Sequence, residues 1–241
     1  MLRSRSLFRC AVVAVALALP VSVSAMMIDF AGQTHGDIFD PTDYDLTVEQ
    51  NGSSFHAPVI FDSGTPPAST SDLDLLFGGG WNGGNIAGHD LGNLLILQES
   101  GASCGATHCG DSDDSRRGGS FTFEFQQLFS ALSFSLVDID DQEDEEVGSV
   151  RLLFRQQGQA DVVLADRSFD SFSGIHFGNR SANLFELAAL EGLFNTVEIN
   201  LTSSGAVGEL ELIPVPEPRT AALLALGLLS LSRRRRRRAA L

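Results

Sequence analysis

Hydrophobic and polar residues alternate along short segments of this chain, and this pattern restricts its fold more than any other feature. Phe121, Phe123 and Phe125 alternate with polar residues, which places three phenyl rings on one face of an extended strand. Turn residues separate this segment from the other strand candidates, which cover residues 45–49, 55–61, 93–98, 132–136, 150–154, 161–164, 197–201 and 208–213. The one stretch with a helical pattern, 182–190, is short. The sequence therefore predicts an all-β domain folded as an antiparallel β-sandwich.

The N-terminus has the three parts of a secretory signal peptide. Three arginines in the first nine residues precede an apolar run at 10–19, and small residues end at Ala25. The apolar run is too short to remain as a membrane span, which needs about 20 residues. We therefore expect cleavage after Ala25, which removes Cys10 together with the signal peptide.

The C-terminus also has three parts in a fixed order. The sequence VPEPRT begins at Val215, an apolar segment covers 221–231, and six arginines cover 233–238. Arginines after an apolar segment stay on the cytoplasmic side of a membrane, so the body of the protein would face outward. An ordinary tail anchor is the alternative interpretation, but it does not explain the Pro216-Glu217-Pro218 sequence.

This tail resembles the PEP-CTERM sorting signal of exported proteins of Gram-negative bacteria, from Val215 to about Arg238. The resemblance implies that an exosortase, a membrane-embedded cysteine protease, cuts the chain near Pro216, Glu217 and Pro218. It also implies a short transmembrane sorting helix that anchors the protein in the inner membrane before processing. Bacteria with this system typically make extracellular polysaccharide. The expected organisation is a signal peptide at 1–25, a β-sandwich at 26–213 and a sorting tail at 214–241.

Charge separates the body of the chain from its ends. The chain has no lysine, which excludes P-loop, protein-kinase and Schiff-base chemistry. The body carries 30 acidic residues and six arginines, a formal charge of about −24. A body with this charge repels nucleic acid and anionic lipid and attracts divalent cations.

A long loop rich in Gly, Asn, Ser and Pro interrupts the strands at 65–92, and loops of this length are usually functional or disordered. It contains the only tryptophan, Trp81, between glycine runs. Two interpretations are open. An exposed Trp81 could stack on a sugar, with Asp72 and Asp74 as further ligand-binding candidates. Alternatively, Trp81 could fold back as a lid over the core.

The segments around this loop resemble secreted bacterial β-sandwich proteins with PEP-CTERM tails. The resemblance rests on Asp72-Leu73-Asp74-Leu75, the glycine-rich loop, residues 91–99, Arg117-Gly118-Gly119 and Val137-Asp138-Ile139-Asp140. It implies a jelly-roll or galactose-binding-like sandwich and brings no established activity.

Carboxylates cluster at Asp111, Asp113 and Asp114 and again between 138 and 146. Alternation from Leu132 places Asp138 on the core face of its strand, where an ionised carboxylate needs a partner. Calcium is one candidate for this partner, with Asp138, Asp140 and Glu209 as ligands. The other interpretation is a hydrated acidic loop at a strand end.

Two further motifs concern the cysteines and Ser103. Cys104 and Cys109 are the only cysteines left after signal cleavage, and export favours a disulfide between them over a zinc site with His108. Residues 101–105 match G-x-S-x-G around Ser103, with His108, Asp138 and His176 as nominal partners. A nucleophile elbow requires a helix directly after the serine, and the residues that follow do not predict one.

The sequence thus predicts an exported cell-surface or matrix protein that is processed by an exosortase, has no catalytic activity and associates with exopolysaccharide. A carbohydrate-binding module acting through the 65–92 loop and Trp81 is the first alternative. A secreted hydrolase using Ser103 is the second.

Overall fold

The computed structural model describes residues 24–51, 57–64, 72–139, 147–187 and 192–215. These residues form ten β-strands and two 3-10 turns, at Gly101–Ser103 and Phe169–Ser171. The strands are β1 (Met26–Ile28), β2 (Asp45–Gln50), β3 (Pro58–Asp62), β4 (Asn93–Leu97), β5 (Gly119–Val137), β6 (Ser149–Phe154), β7 (Val162–Ser168), β8 (Ala182–Leu187), β9 (Phe194–Leu201) and β10 (Ala206–Pro214). Every paired strand is antiparallel to its neighbour. The predicted all-β antiparallel architecture is confirmed.

Hydrogen bonds join all ten strands in one continuous sheet, and the 19-residue strand β5 divides it into two parts. We call these parts the first and the second sheet of the sandwich. The first half of β5 pairs with β2 and β9, and its second half pairs with β10 and β8. The first sheet contains β3, β4, β10, the second half of β5 and β8, with β1 paired to β10. The second sheet contains β2, the first half of β5, β9, β6 and β7. The pairing of β5 with β9 shifts register between Glu124 and Phe129, where the strand passes from one sheet to the other.

Phenylalanine side chains fill the main core between the sheets. Phe121 and Phe123 are fully buried, as the period of two predicted, and the second half of β5 adds Phe134. The Phe134 ring stacks on Phe185 of β8 with centroids 4.9 Å apart. Burying a side chain of this size stabilises the fold by about 1.5–3 kcal/mol, so the phenyl rings contribute substantially to stability. A second apolar cluster lies next to this core and contains Phe61, Leu75, Trp81, Leu94 and Ile96.

The secondary structure predicted from the sequence was wrong at two places. Residues 182–187, expected to be helical, form strand β8, because their alternating side chains pair in register with Leu132–Val137 of β5. The two strands expected at 121–126 and 132–136 are one continuous strand. The expected sorting helix at the C-terminus lies outside the described residues. Within the part of the chain that the structure describes, no helix has the length and apolarity to cross a membrane.

Candidate functional site

Trp81 belongs to the long loop, and its side chain is buried in the second apolar cluster. Its side chain is only 6% exposed, its ring packs edge-on against Phe77 at 5.5 Å, and its Nε1–H donates to the main-chain oxygen of His89 at 2.8 Å. The exposed-ring interpretation was wrong, because a ring packed and hydrogen-bonded in this way offers no face to a sugar. The structure agrees with the other interpretation, in which Trp81 is a lid over the core.

The same loop covers the free edge of β8. The Ala182 N–H donates to Gly83 O at 2.9 Å, and the Asn82 N–H donates to Arg180 O at 2.8 Å. The Asn85 side chain reaches further along the strand, donating to Leu184 O at 2.9 Å and accepting from Leu184 N–H at 2.7 Å. An uncovered strand edge is a template for unwanted pairing with other chains. The loop therefore has a structural role over the part that is described, which excludes residues 65–71.

Asp72 is the first described residue after the gap in the 65–92 loop, and its carboxylate lies close to those of Asp113 and Asp114. One carboxylate oxygen of each residue lies within 4.8 Å of the others. Asp72 is 8% exposed and Asp114 is 6% exposed. Asp72 accepts from the Leu75 N–H at 3.3 Å, and Asp114 accepts from the Gly205 N–H at 2.6 Å. We call these three residues the aspartate cluster.

The pKa values of the aspartate cluster are raised. Burial raises the pKa of Asp114 well above its usual range, and the neighbouring charges of Asp72, Asp138 and Asp113 raise it further. Burial also raises the pKa of Asp72, although hydrogen bonds, including one to Asp114, partly oppose the shift. Burial and the charges of Asp72, Glu99 and Asp111 raise the pKa of Asp113 to about 6. Ionising all three carboxylates is therefore unfavourable, and binding a proton or a cation would relieve their mutual repulsion.

The other predicted acidic residues lie in different environments. Asp138 follows β5 with φ of 59° and is 3% exposed. Its carboxylate accepts from the Arg180 N–H at 2.9 Å and from the Ser204 hydroxyl at 3.4 Å, so the protein itself provides the partner that a buried carboxylate requires. Asp140 lies outside the described residues. The calcium set of Asp138, Asp140 and Glu209 therefore stays a prediction. Asp74 accepts from the Asn179 amide at 3.2 Å and is not part of the cluster.

The segment of Ser103 has a structural role. Cys104 and Cys109 form the predicted disulfide. A nucleophile elbow needs a helix directly after the serine, but the 3-10 turn ends at Ser103 and Cys104 is extended. The Ser103 hydroxyl donates to Asp111 O at 3.1 Å. His108 pairs with Asp37 at 3.1 Å. This geometry does not support the hydrolase interpretation, because the Ser103 hydroxyl bonds to a main-chain oxygen instead of a base.

A polar groove of about 480 Å³ lies on the outer face of the second sheet. Strand pairing explains its composition, because residues in register form straight rows across the sheet. One row runs Glu49, Ser120, Asn200, Ser149, and the next runs Thr47, Thr122, Glu198, Arg151. The lining residues are Thr47, Glu49, Ser120, Thr122, Ser149, Arg151, Arg155, Glu198 and Asn200. The opposite positions of the same strands face the core, so strand alternation directs these polar side chains outward.

Ion pairs fix the two arginines of the groove. Arg151 contacts Glu198 at 2.7 Å and Asp166 at 3.5 Å. Arg155 contacts Glu124 at 3.0 Å, Asp161 at 2.9 Å and Glu198 at 3.4 Å. The guanidinium groups hold the pKa of Asp161 below its usual value, chiefly through the hydrogen bond from Arg155. Because two arginines face four carboxylates, the network has no surplus of positive charge.

Sequence reasoning named the three aspartates without predicting their contact, and it missed the groove. The pair Asp113 and Asp114 was visible as part of an acidic segment, but its contact with Asp72 joins positions about 40 residues apart. The groove residues occupy the polar positions of the predicted strands. The alternation of polar and apolar residues identified them as surface residues. The order in which the strands pair was needed to show that they lie side by side.

The PEP-CTERM protein-sorting motif matches residues 214–237 of this chain. The resemblance noted for Val215 to Arg238 is thereby confirmed. The motif is that of an exosortase substrate, a protein that is exported and held in the membrane before it is processed. Its residues Pro216, Glu217 and Pro218 lie outside the described part of the structure. No curated protein matches the chain.

Several solved structures are similar to part of this chain at low sequence identity. The K2 cleaved adhesin domain of Lys-gingipain is 10% identical, with 79% of this chain and 96% of that chain covered and a TM-score of 0.39. CBM32-3 from a family 31 glycoside hydrolase from Clostridium perfringens is 9% identical, with 70% and 91% covered and a TM-score of 0.30. CpGH89CBM32-6 produced by Clostridium perfringens is 12% identical, with 41% and 71% covered and a TM-score of 0.28. At these scores the similarity transfers neither a ligand nor an activity to this chain.

Proposed function

We propose that this protein is a non-catalytic component of the cell surface or extracellular matrix, released from its membrane anchor by an exosortase and associated with exopolysaccharide. The sorting motif at 214–237 carries the proposal. It follows directly on a folded β-domain, whose sandwich we assign to the jelly-roll or galactose-binding-like type.

The positions of the strand ends support two processing events on this chain. Strand β1 begins at Met26, directly after the expected signal-peptide cleavage site at Ala25. It pairs with β10, with Met26 opposite Leu212, and β10 ends at Pro214, two residues before the Pro-Glu-Pro sequence. The first expected cleavage site therefore directly precedes β1, and the second lies shortly after β10. These two strands are neighbours in one sheet. Cleavage at these sites leaves all ten strands intact.

The absence of catalysis is part of the proposal. The serine with a hydrolase-like motif bonds to a main-chain oxygen, and the acidic residues brought together at Asp72, Asp113 and Asp114 are mostly buried. If the protein were a hydrolase that uses Ser103, turnover of ester or glycoside substrates would be detectable and Ser103→Ala would abolish it. We expect the wild-type protein and the variant to be equally inactive.

Intact-mass analysis of the surface form tests the processing. We expect the mature chain to end near Pro216 to Pro218 and to lack Arg233 to Arg238. In a host strain without its exosortase, or with Glu217→Ala, the chain should keep the arginine cluster and stay in the membrane fraction. A surface form of the wild-type chain that still carries the six arginines would contradict the proposal.

A further inference from the structure

We propose that the outer groove of the second sheet binds neutral polysaccharide chains, contacting the sugar hydroxyls through its polar side chains. This inference deepens the function proposed above and rests on it. The groove takes the place of Trp81 as the candidate sugar-binding site, because the buried Trp81 ring cannot stack on a sugar.

The lining of the groove matches the chemistry of sugar hydroxyls. Short hydroxyl side chains from β2, β5 and β6 form its floor, represented by Thr47, Thr122 and Ser149. The Asn200 amide both donates and accepts, and so does each sugar hydroxyl. Glu198 adds a charged acceptor and Arg151 a charged donor, which make stronger hydrogen bonds than neutral groups.

Ion pairing prepares these groups for a ligand before it arrives. Arg151 and Glu198 are 2.7 Å apart, and Arg155 contacts Glu198 from the other side at 3.4 Å. Because Arg151, Arg155 and Glu198 are held by these contacts, they lose less side-chain entropy when a ligand binds. The groove therefore presents a fixed pattern of donors and acceptors.

Charge selects a neutral ligand over an anionic one. Within the groove the arginines are matched or exceeded by carboxylates, and the body of the protein carries 30 acidic residues against six arginines. A sulfated or uronic acid polymer would be repelled by this field. A neutral hydroxyl-rich chain would not.

The size of the groove favours a polymer segment. A volume of about 480 Å³ is within the range of ligand sites, and four neighbouring strands span roughly 14 Å at about 4.8 Å per strand. The nine lining residues include no aromatic ring on which a sugar could stack. Binding of a single sugar should therefore be weak, and useful retention requires several adjacent sugar units on one chain or many chains in a matrix.

Affinity electrophoresis of the mature protein tests the groove. The probes are two matched pairs, dextran with dextran sulfate and hydroxyethyl cellulose with carboxymethyl cellulose, together with laminarin and galactomannan. We expect at least one neutral polymer to retard the protein and the anionic derivatives to retard it less. The double variant Thr122→Val and Asn200→Leu should weaken the retarding interaction about tenfold, because it removes two side-chain hydrogen-bonding groups.

Thr107→Val is the matched control, because Thr107 is exposed in the Cys104–Cys109 loop and lies outside the groove. It should bind like the wild-type protein. The inference is overturned if no neutral polymer retards the wild-type protein, if anionic polymers bind more tightly, or if the double variant and the control behave alike. Thermal unfolding should be unchanged in both variants. Both should also lose the arginine cluster normally, which separates a failure of the groove from a failure of the proposed function.

Discussion

Asp72 and Asp114 are buried carboxyls that hydrogen-bond to each other, and they show how single residues set the pH behaviour of this protein. Asp113 and Asp138 add negative charge near them. In the folded chain Asp72, Asp113 and Asp114 bind a proton more tightly than in the unfolded chain, because burial disfavours the ionised form. Their contribution to stability is therefore fully present below the usual pKa of 3.8 and is lost as the pH rises through the raised values, about 6 for Asp113.

Asp72→Asn should remove this dependence. Asparagine resembles the protonated carboxyl, and its amide oxygen keeps an acceptor for the Leu75 N–H. In buffer with EDTA at pH 7.5, we expect the variant to melt higher than the wild-type protein by about 2–6 °C, equivalent to about 1–2 kcal/mol. At pH 4 the two should melt at nearly the same temperature.

Asp43→Asn makes the same chemical change at an exposed site and should alter the melting temperature little at either pH. If Asp72→Asn is destabilising at pH 7.5, the aspartate cluster is not a source of charge repulsion in the folded protein.

At the scale of elements, β8 and the glycine-rich loop depend on each other. Strand β8 has β5 on one side, and the loop covers its other edge through Gly83 and Asn85. Gly84 lies at the closest approach, with φ of 101°, and a Cβ at this position would overlap the main chain of Ala182. Only glycine allows the loop backbone to lie this near the strand.

Gly84→Ala should therefore separate the loop from β8. We expect a loss of about 3 kcal/mol in the free energy of unfolding, measured by urea denaturation, because the left-handed backbone and the overlap are both unfavourable. Amide hydrogen exchange should become faster at Ala182 and Leu184 before it does so in β9.

Gly88→Ala is the matched control in the same loop, because nothing lies within 4 Å of the position that its Cβ would take. It should have little effect on stability. Equal stability of Gly84→Ala and the wild-type protein would mean that the loop does not lie against β8 in solution.

At the scale of the whole molecule, negative charge opposes the compact state. The body has 30 acidic residues and six arginines, and two of these arginines, Arg151 and Arg155, are used in the ion pairs of the groove. Mutual repulsion of the remaining carboxylates is a general cost of folding at neutral pH. We expect the same charge to disfavour binding to anionic polymers and lipid surfaces.

Added sodium chloride should stabilise the mature protein at pH 7.5. Raising the ionic strength from about 0.01 M to about 0.15 M shortens the screening length from about 30 Å to about 8 Å, so repulsion between distant carboxylates falls. We expect the melting temperature to rise by a few degrees in differential scanning calorimetry. At pH 4, where most carboxylates are protonated, the same salt should have much less effect. A fall in melting temperature with salt at neutral pH would show that ion pairs outweigh the repulsion.

Local pattern was enough to identify most of the architecture. Alternation at Phe121, Phe123 and Phe125 predicted strand β5 and its buried face, because residues two apart in a strand share one side. Cys104 and Cys109 are the only cysteines left after the expected signal cleavage, and expected export to an oxidising compartment predicted their disulfide. The tail motif could be read directly because its residues are contiguous in the sequence. Residues 182–187 were misjudged, because pairing with β5 outweighs their weak local preference.

The sequence by itself thus determined most of the strands, the C-terminal sorting motif and the charge of the body. Only the tertiary structure decided that Trp81 is buried, that Asp72 meets Asp114, and that polar residues of four strands form one groove. Each of these features depends on contacts between residues far apart in the chain. The order and register of strand pairing set such contacts, and the energy that selects one register comes from burial of the whole core.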